Sequence, residues 1–209
     1  APIAPDLPAQ IRLIKALWNE EFDVLHIHEP LAPGIGITSV LMQAAPMVGT
    51  FHAAGRSSAY RWVNRGCRAL RSRLAIACAV SAEAEALATK WLGGNYERVF
   101  NGIDVNRYAS AEPSPASGPT VLFVGRHEER KGLRVLLQAS ERLPADVRIW
   151  VGGDGDETLS LKRDFAGNDR IEWLGRISGE EKRARLAGAS VFCAPSLGGE
   201  SFGIVLLEA

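Results

Sequence analysis

Short apolar runs alternate with stretches of helical period along almost the whole chain, and that alternation admits few folds. The runs read as strands over 23–28, 47–51, 74–80, 98–100, 120–124, 148–151, 170–174 and 191–194. Between most of them, apolar residues recur every three or four positions, as in 7–20, 82–91, 131–143 and 179–188. In 7–20 the spacing puts Ile11, Ile14 and Leu17 on one face, with Arg12, Lys15 and Asn19 away from it. Strands alternating with helices imply parallel sheets with helices on both faces. Several strands are nearly continuous apolar runs, as a doubly covered sheet requires.

The stretch 109–119 (ASAEPSPASGP) breaks this rhythm. It is rich in proline, serine and alanine and reads as a linker between an α/β half over 1–108 and another over 120–209. Each half has about four strands, fewer than a complete six-strand nucleotide-binding sheet. The chain starts at Ala1 without methionine and stops inside the helix-like run Phe202 to Ala209, so a fragment of a longer protein is expected.

Composition excludes several classes. Lysine plus arginine total 24 and so do aspartate plus glutamate, which argues against a general nucleic-acid binder. The longest apolar run, Leu74 to Val80, is far short of the roughly 18–20 residues that span a bilayer. The three cysteines, Cys67, Cys78 and Cys193, have no zinc spacing and read as buried reduced thiols of a cytosolic protein.

The chemistry-bearing residues gather where strands end. His26 and His28 share one face of a strand and Glu29 follows, a polar cleft position or simple structure. His52 ends the next strand, where an imidazole can donate a hydrogen bond to substrate or serve only the fold. Gly34-x-Gly36-x-x-Ser39 reads as a helix start rather than a cofactor loop. Arg126 and Lys131, after the strand 120–124, suit a diphosphate: a guanidinium fork and an ammonium point charge. Gly152-Gly153-Asp154-Gly155-Asp156 is a turn whose glycines let a ligand approach the backbone; its D-x-D is too short to specify a metal. Glu200 and Glu208 stand eight apart, with glycines before the first and an apolar run between. A helix starting at Phe202 would point free N–H groups at a phosphate, and Glu208 would accept from ribose hydroxyls. Six arginines from Arg56 to Arg73, with Arg61, Arg65, Arg68 and Arg71 in one helical stripe, form a solvated face or an anionic-lipid contact.

The Glu200 to Glu208 segment resembles the E-x7-E motif of the family 4 retaining glycosyltransferases, which have the GT-B fold. Gly125-Arg126…Lys131-Gly132 and Asn101-Gly102-Ile103-Asp104 match two further marks of that family. His26 to Pro33, Thr50-Phe51-His52, Ala79-Val80-Ser81 and Cys193 to Leu206 are similar to its actinobacterial phosphatidylinositol α-mannosyltransferase branch. The resemblance implies two Rossmann-like domains with a cleft between them, both truncated here: an acceptor domain in 1–108 and a nucleotide-sugar domain in 120–209. It implies transfer of mannose from GDP-mannose to the inositol of phosphatidylinositol with retention.

By the same resemblance, Arg126 and Lys131 bind the diphosphate, Glu200, Phe202, Gly203 and Ile204 lie along the donor sugar and phosphates, Glu208 holds the ribose, and Lys182 lies near the nucleotide. His52 would contact the mannose beside the reacting carbon. His52, Glu200, Arg126 and Lys131 are thus the expected catalytic set; Arg12, Lys15, His28 and Glu29 are the acceptor and membrane candidates. Attack from the front face, assisted by the leaving phosphate, needs no protein nucleophile, and closure of the domains would complete the site. The expected ligands are the nucleotide sugar and phosphatidylinositol or an anionic membrane surface, without nucleic acid, metal site or tightly bound cofactor, though with divalent-cation stimulation. The expected location is cytoplasmic, peripheral on the inner face of the plasma membrane. The isolated 209-residue chain is expected to be inactive. The loop Ala53-Ala54-Gly55-Arg56 departs from the mannosyltransferase pattern. A sister enzyme with another nucleotide sugar or a soluble acceptor is the alternative, and a non-catalytic nucleotide- or phosphosugar-binding module is the alternative of another class.

Overall fold

A computed structural model describes residues 7–54, 64–200 and 202–209. The chain divides into two compact units, Ala1–Asn101 with Glu200–Phe202, and Gly102–Gly199 with Gly203–Ala209.

The first unit runs α1 (Leu7–Asn19), β1 (Leu25–His28), α2 (Ile35–Met42), β2 (Met47–Phe51), α3 (Asn64–Arg71), β3 (Ile76–Ala79), α4 (Ala82–Leu92) and β4 (Glu97–Arg98). Its strands form one parallel sheet in the order β1-β2-β3-β4. Val40, Met47, Phe51, Ala79, Val80 and Ala84 make its core. The helix α4 starts where Ser81 Oγ accepts the Ala84 N–H at 3.1 Å and stops at Gly93, whose φ is +71°. The buried side of α1 is Ala9 and Leu17, whereas Ile11 and Ile14 are exposed. The expected Ile11–Ile14–Leu17 face is therefore corrected: the face that packs inward is rotated toward Ala9, Leu13 and Leu17, spaced by four.

The arginine stripe is also largely structural where it is described. Arg68 donates to the Trp91 carbonyl at 3.2 Å, and Arg71 donates to the Asn95 carbonyl and lies over the Tyr96 ring. Arg68 thus satisfies a carbonyl that the last turn of α4 leaves open, and Arg71 holds the segment just after it. Arg56 and Arg61, and the side chain of Arg65, lie outside the described residues.

The second unit runs α5 (Val105–Ala109), β5 (Thr120–Val124), a 3-10 turn (Glu129–Lys131), α6 (Leu133–Ser140), β6 (Arg148–Gly152), α7 (Thr158–Asp164), β7 (Ile171–Gly175), α8 (Gly179–Gly188), β8 (Val191–Phe192) and α9 (Ile204–Glu208). Its parallel sheet has the order β7-β6-β5-β8, with a core that includes Leu133, Leu137, Ile149, Val151 and Leu161. The proline-rich stretch belongs with this unit: the Ser114 N–H donates to the Ala184 carbonyl at 2.8 Å. The division falls earlier, between Asn101 and Gly102.

The expected helix over 131–143 is interrupted at Gly132, whose φ is +69°. A Cβ there would stand 2.1 Å from the Pro195 carbonyl oxygen, and the Leu197 N–H donates to Arg130 O at 2.8 Å. The loops after β5 and β8 therefore pack backbone to backbone. They leave the sheet on either side of the point where strand order reverses, the place where open α/β sheets take ligands.

Candidate active site

In the second unit, β5 and β6 are buried apolar strands in parallel register, so the loops that follow them emerge at one edge. Gly125 donates its N–H to Gly152 O at 3.1 Å. A Cβ on Gly153, whose φ is +115°, would meet Gly125 O at 1.9 Å. Glycine is required there because the two backbones touch. Above this contact opens a pocket of about 420 Å³ whose wall includes Arg126, Asp154, Arg176, Ser178 and Lys182. That volume is in the range of small-molecule sites.

Arg126 reaches the pocket while pairing with Glu128 at 2.5 Å, and Arg130 shares the same carboxylate at 2.9 Å. Lys131 ends the 3-10 turn and is not part of the pocket wall. Asp154 Oδ2 accepts from Arg176 Nε at 2.5 Å on the wall. Among the described residues no group of three or more His, Cys, Asp or Glu stands close enough to hold a metal ion.

Lys182, on α8, connects the pocket to α9. Its Nζ donates to Glu208 Oε1 at 2.6 Å, and Tyr108 Oη donates to the same oxygen at 2.6 Å. The Glu208 side chain is only 10% exposed and that of Lys182 23%, so the pair is largely sheltered from solvent screening. Burial opposes the charge on Lys182, but the Glu208 carboxylate and Tyr108 outweigh it and hold its pKa above the ordinary lysine value. Burial, then the bond to Glu208, pushes the Tyr108 phenol up.

His127, the residue after Arg126, is buried at 1% exposure. Its ring Nδ1 is 2.8 Å from Thr158 Oγ1, which accepts the Gly155 N–H at 2.9 Å. Its backbone binds Asp154 O at 2.9 Å and receives the Glu157 N–H at 3.0 Å. One residue thus ties the loop of Arg126 to the glycine-rich turn. Burial lowers the His127 pKa.

The first unit carries a cluster at the C-terminal ends of β1 and β2. His26 Nε2 lies 2.8 Å from Thr50 Oγ1, and His28 Nδ1 lies 2.8 Å from His52 Nε2. Glu29 Oε1 accepts the His52 and Ala53 backbone N–H groups, each at 2.6 Å. Burial lowers the pKa of His52; His28 and His26 add to this and Glu29 opposes it. Gly55 and Arg56 lie outside the described residues.

The helix expected from Phe202 begins at Ile204 and has five residues. Gly198, Gly199 and Gly203 all have positive φ, so no helix runs through them and Glu200 does not share a helical face with Glu208. Glu200 and Phe202 group with the first unit, where Phe202 lies 5.9 Å from the Phe100 ring centroid; Gly203 and Ile204 belong to the second. Arg12 and Lys15 are exposed on α1.

The structure brings together Arg126, Lys182 and Glu208 in the second unit, and His28, Glu29 and His52 in the first. Sequence reasoning missed Tyr108, His127 and the Asp154–Arg176 pair. Tyr108 had a signal: Asp104 caps α5, accepting the Arg107 N–H at 3.4 Å, and so sets a helix that carries the tyrosine. The others depend on contacts between loops distant in sequence.

Comparison with known proteins agrees with this architecture. Residues 2–107 match the model of Glycosyltransferase Family 4, and residues 118–209 match that of glycosyl transferases group 1. The chain is 40% identical over 97% of its length to the phosphatidyl-myo-inositol mannosyltransferase of Mycolicibacterium smegmatis, of which it covers 55%. It is 38% identical to that of Mycobacterium tuberculosis over 97% of its length, covering 56% of the relative. The chain thus spans about half the length of these curated relatives. Among solved structures, Anabaena Alr3699/HepE in complex with UDP and glucose matches 98% of this chain and 62% of its own, with TM-score 0.75 and 20% identity. Sucrose-phosphate synthase from Thermosynechococcus elongatus matches 97% of this chain and 57% of its own, with TM-score 0.74 and 21% identity.

Proposed function

The chain belongs to Glycosyltransferase Family 4, with the GT-B fold in two α/β units, and from that premise we propose that it is part of an enzyme that moves mannose from GDP-mannose to the inositol of phosphatidylinositol. The observation that carries this reading is the roughly 420 Å³ pocket at the ends of β5, β6 and β7, with Arg126 and Lys182 in its wall and Lys182 bonded to Glu208. The similarity to curated phosphatidyl-myo-inositol mannosyltransferases supports the sugar and the acceptor.

In this reading Arg126 and Lys131 neutralise the diphosphate, Glu208 accepts from the ribose hydroxyls, and Lys182 sets the carboxylate's position. Glu200, Phe202, Gly203 and Ile204 line the path of the sugar and phosphates. His52 stands beside the mannose. The leaving group is a nucleoside diphosphate that gains negative charge as the glycosidic bond breaks. Cations already fixed in place stabilise that charge without reorganising, and such stabilisation is the main catalytic contribution expected here. The acceptor hydroxyl attacks from the side the phosphate leaves, and the phosphate takes its proton, so configuration is retained without a protein nucleophile. A divalent cation accompanying the diphosphate would stimulate the reaction.

No described helix is long and apolar enough to cross a membrane. Exposed Arg12 and Lys15 on α1 support peripheral binding to anionic lipid on the inner face of the plasma membrane, each basic residue near the surface contributing about 1 kcal/mol. The test is transfer of labelled mannose from GDP-mannose to phosphatidylinositol, run with this chain and with the chain extended to the length of its relatives. The proposal expects a phosphatidylinositol mannoside from the extended protein and none from the 209-residue chain alone. An extended protein that uses only a UDP-sugar or only a soluble acceptor would overturn the assignment.

A further inference from the structure

The parallel register sets His28 of β1 across from Thr50 of β2, and His26 across from Val48. Each histidine reaches the side chain two places beyond its register partner, His26 to Thr50 in β2 and His28 to His52 just after it. The three imidazoles form a row, with ring centroids 4.5 Å apart between His26 and His28 and 5.0 Å between His28 and His52. Glu29 closes the arrangement. Its φ of +51° is a left-handed conformation that ordinary residues rarely adopt. Its carboxylate accepts the backbone N–H groups of His52 and Ala53, which fixes the chain that carries the His52 ring.

We infer that His28 is a positioning residue for His52: the two imidazoles act as one unit with a single proton between them, which fixes the tautomer His52 presents and keeps the pair from carrying two charges. A neutral imidazole holds one proton on one of its two nitrogens. The 2.8 Å gap between His28 Nδ1 and His52 Nε2 accommodates one proton. If that proton sits on His28 Nδ1, His52 Nε2 is bare and His52 carries its proton on Nδ1. If it sits on His52 Nε2, His28 Nδ1 is bare and His28 carries its proton on Nε2. In either case both rings hold the same tautomer.

One further proton can be added at an outer nitrogen. A second would put two protons into the gap. Among the described residues, the charged and titratable groups acting on His52 are Glu29, His28 and His26, at the end of β1. Burial and the two rings disfavour its charge; Glu29 favours it.

This rests on the reading that His52 meets the donor sugar, and deepens it: a sugar hydroxyl would face an imidazole whose proton is already placed. The experiment is a set of proton–nitrogen correlation spectra of the histidine rings in the isotope-labelled chain, which has four histidines, followed from pH 8 to pH 5. His28→Ala and His28→Asn are measured alongside. The inference expects one shared tautomer for His28 and His52 and coupled uptake of one proton seen on both rings. His28→Ala should release His52 into a tautomer mixture that titrates alone with a raised midpoint. His28→Asn keeps an amide where Nδ1 stood and should restore a single tautomer. Opposite tautomers, independent titration of both rings near about 6.5, or a His52 signal unmoved by His28→Ala would overturn it. No nucleotide sugar is present in the tube, so failure falls on the histidine pair and leaves the donor reading to its own test.

Discussion

Glu208 is the residue on which the second unit's site turns. Its carboxylate receives both the Lys182 ammonium and the Tyr108 hydroxyl on one oxygen. Removing it leaves a sheltered cation without its partner, whereas removing the phenol leaves the ion pair intact. Glu208→Ala is expected to cost about 1–3 kcal/mol and Tyr108→Phe about 1 kcal/mol, read from urea denaturation at neutral pH. Equal midpoints for both variants and the parent chain would contradict the arrangement. The histidines give a second residue-scale expectation. Burial holds His127 and His52 below the ordinary imidazole value of about 6.5, so the unfolded chain takes up protons first as pH falls. The stability tied to their neutral rings is fully present above that value. It is lost as pH drops through 6.5 toward their lower folded values. Urea midpoints measured from pH 8 to pH 5 should fall, and His127→Phe should remove part of the slope; a flat profile would contradict the burial of both rings.

At the scale of elements, positions of strands were legible and the breaks between them less so. The runs 47–51 and 120–124 are strands as read, and the helix over 179–188 has the expected bounds, because burial on one face or both leaves a direct mark on composition. What the pattern did not carry was loop geometry. The apolar run after Phe202 looks helical from its first residue, yet the helix waits until Ile204 because Gly203 adopts a left-handed conformation. The break at Gly132 arises likewise from a contact with Pro195, 63 positions away in sequence (195 − 132), which no local window contains. That contact makes a prediction. Gly132→Ala must relieve both a positive φ and a backbone clash, and should cost about 2 kcal/mol or more by thermal unfolding. Gly102→Ala, where a Cβ meets nothing within 4 Å, should stay within about 0.5 kcal/mol. Comparable losses at the two positions would mean that the loops after β5 and β8 do not pack as described.

At the scale of the molecule, the two α/β units and their parallel sheets were legible, since alternating periods allow few other architectures. Part of the site was legible too: strand ends collect polar residues, and Arg126, His28 and His52 follow or end strands, while Lys182 and Glu208 lie on the helices α8 and α9. Their partners were not, because Tyr108, Asp154 and His127 act through contacts set by the fold. In the proposed function, the second unit's pocket holds a nucleoside diphosphate sugar through Arg126, Lys182 and Glu208. Calorimetric titration of this chain with GDP, UDP and ADP, repeated for Glu208→Ala, tests it most directly. Selective GDP binding, weakened by the substitution, is expected. A preference for UDP would contradict the mannosyl donor, and no heat from any of the three would contradict the nucleotide site itself.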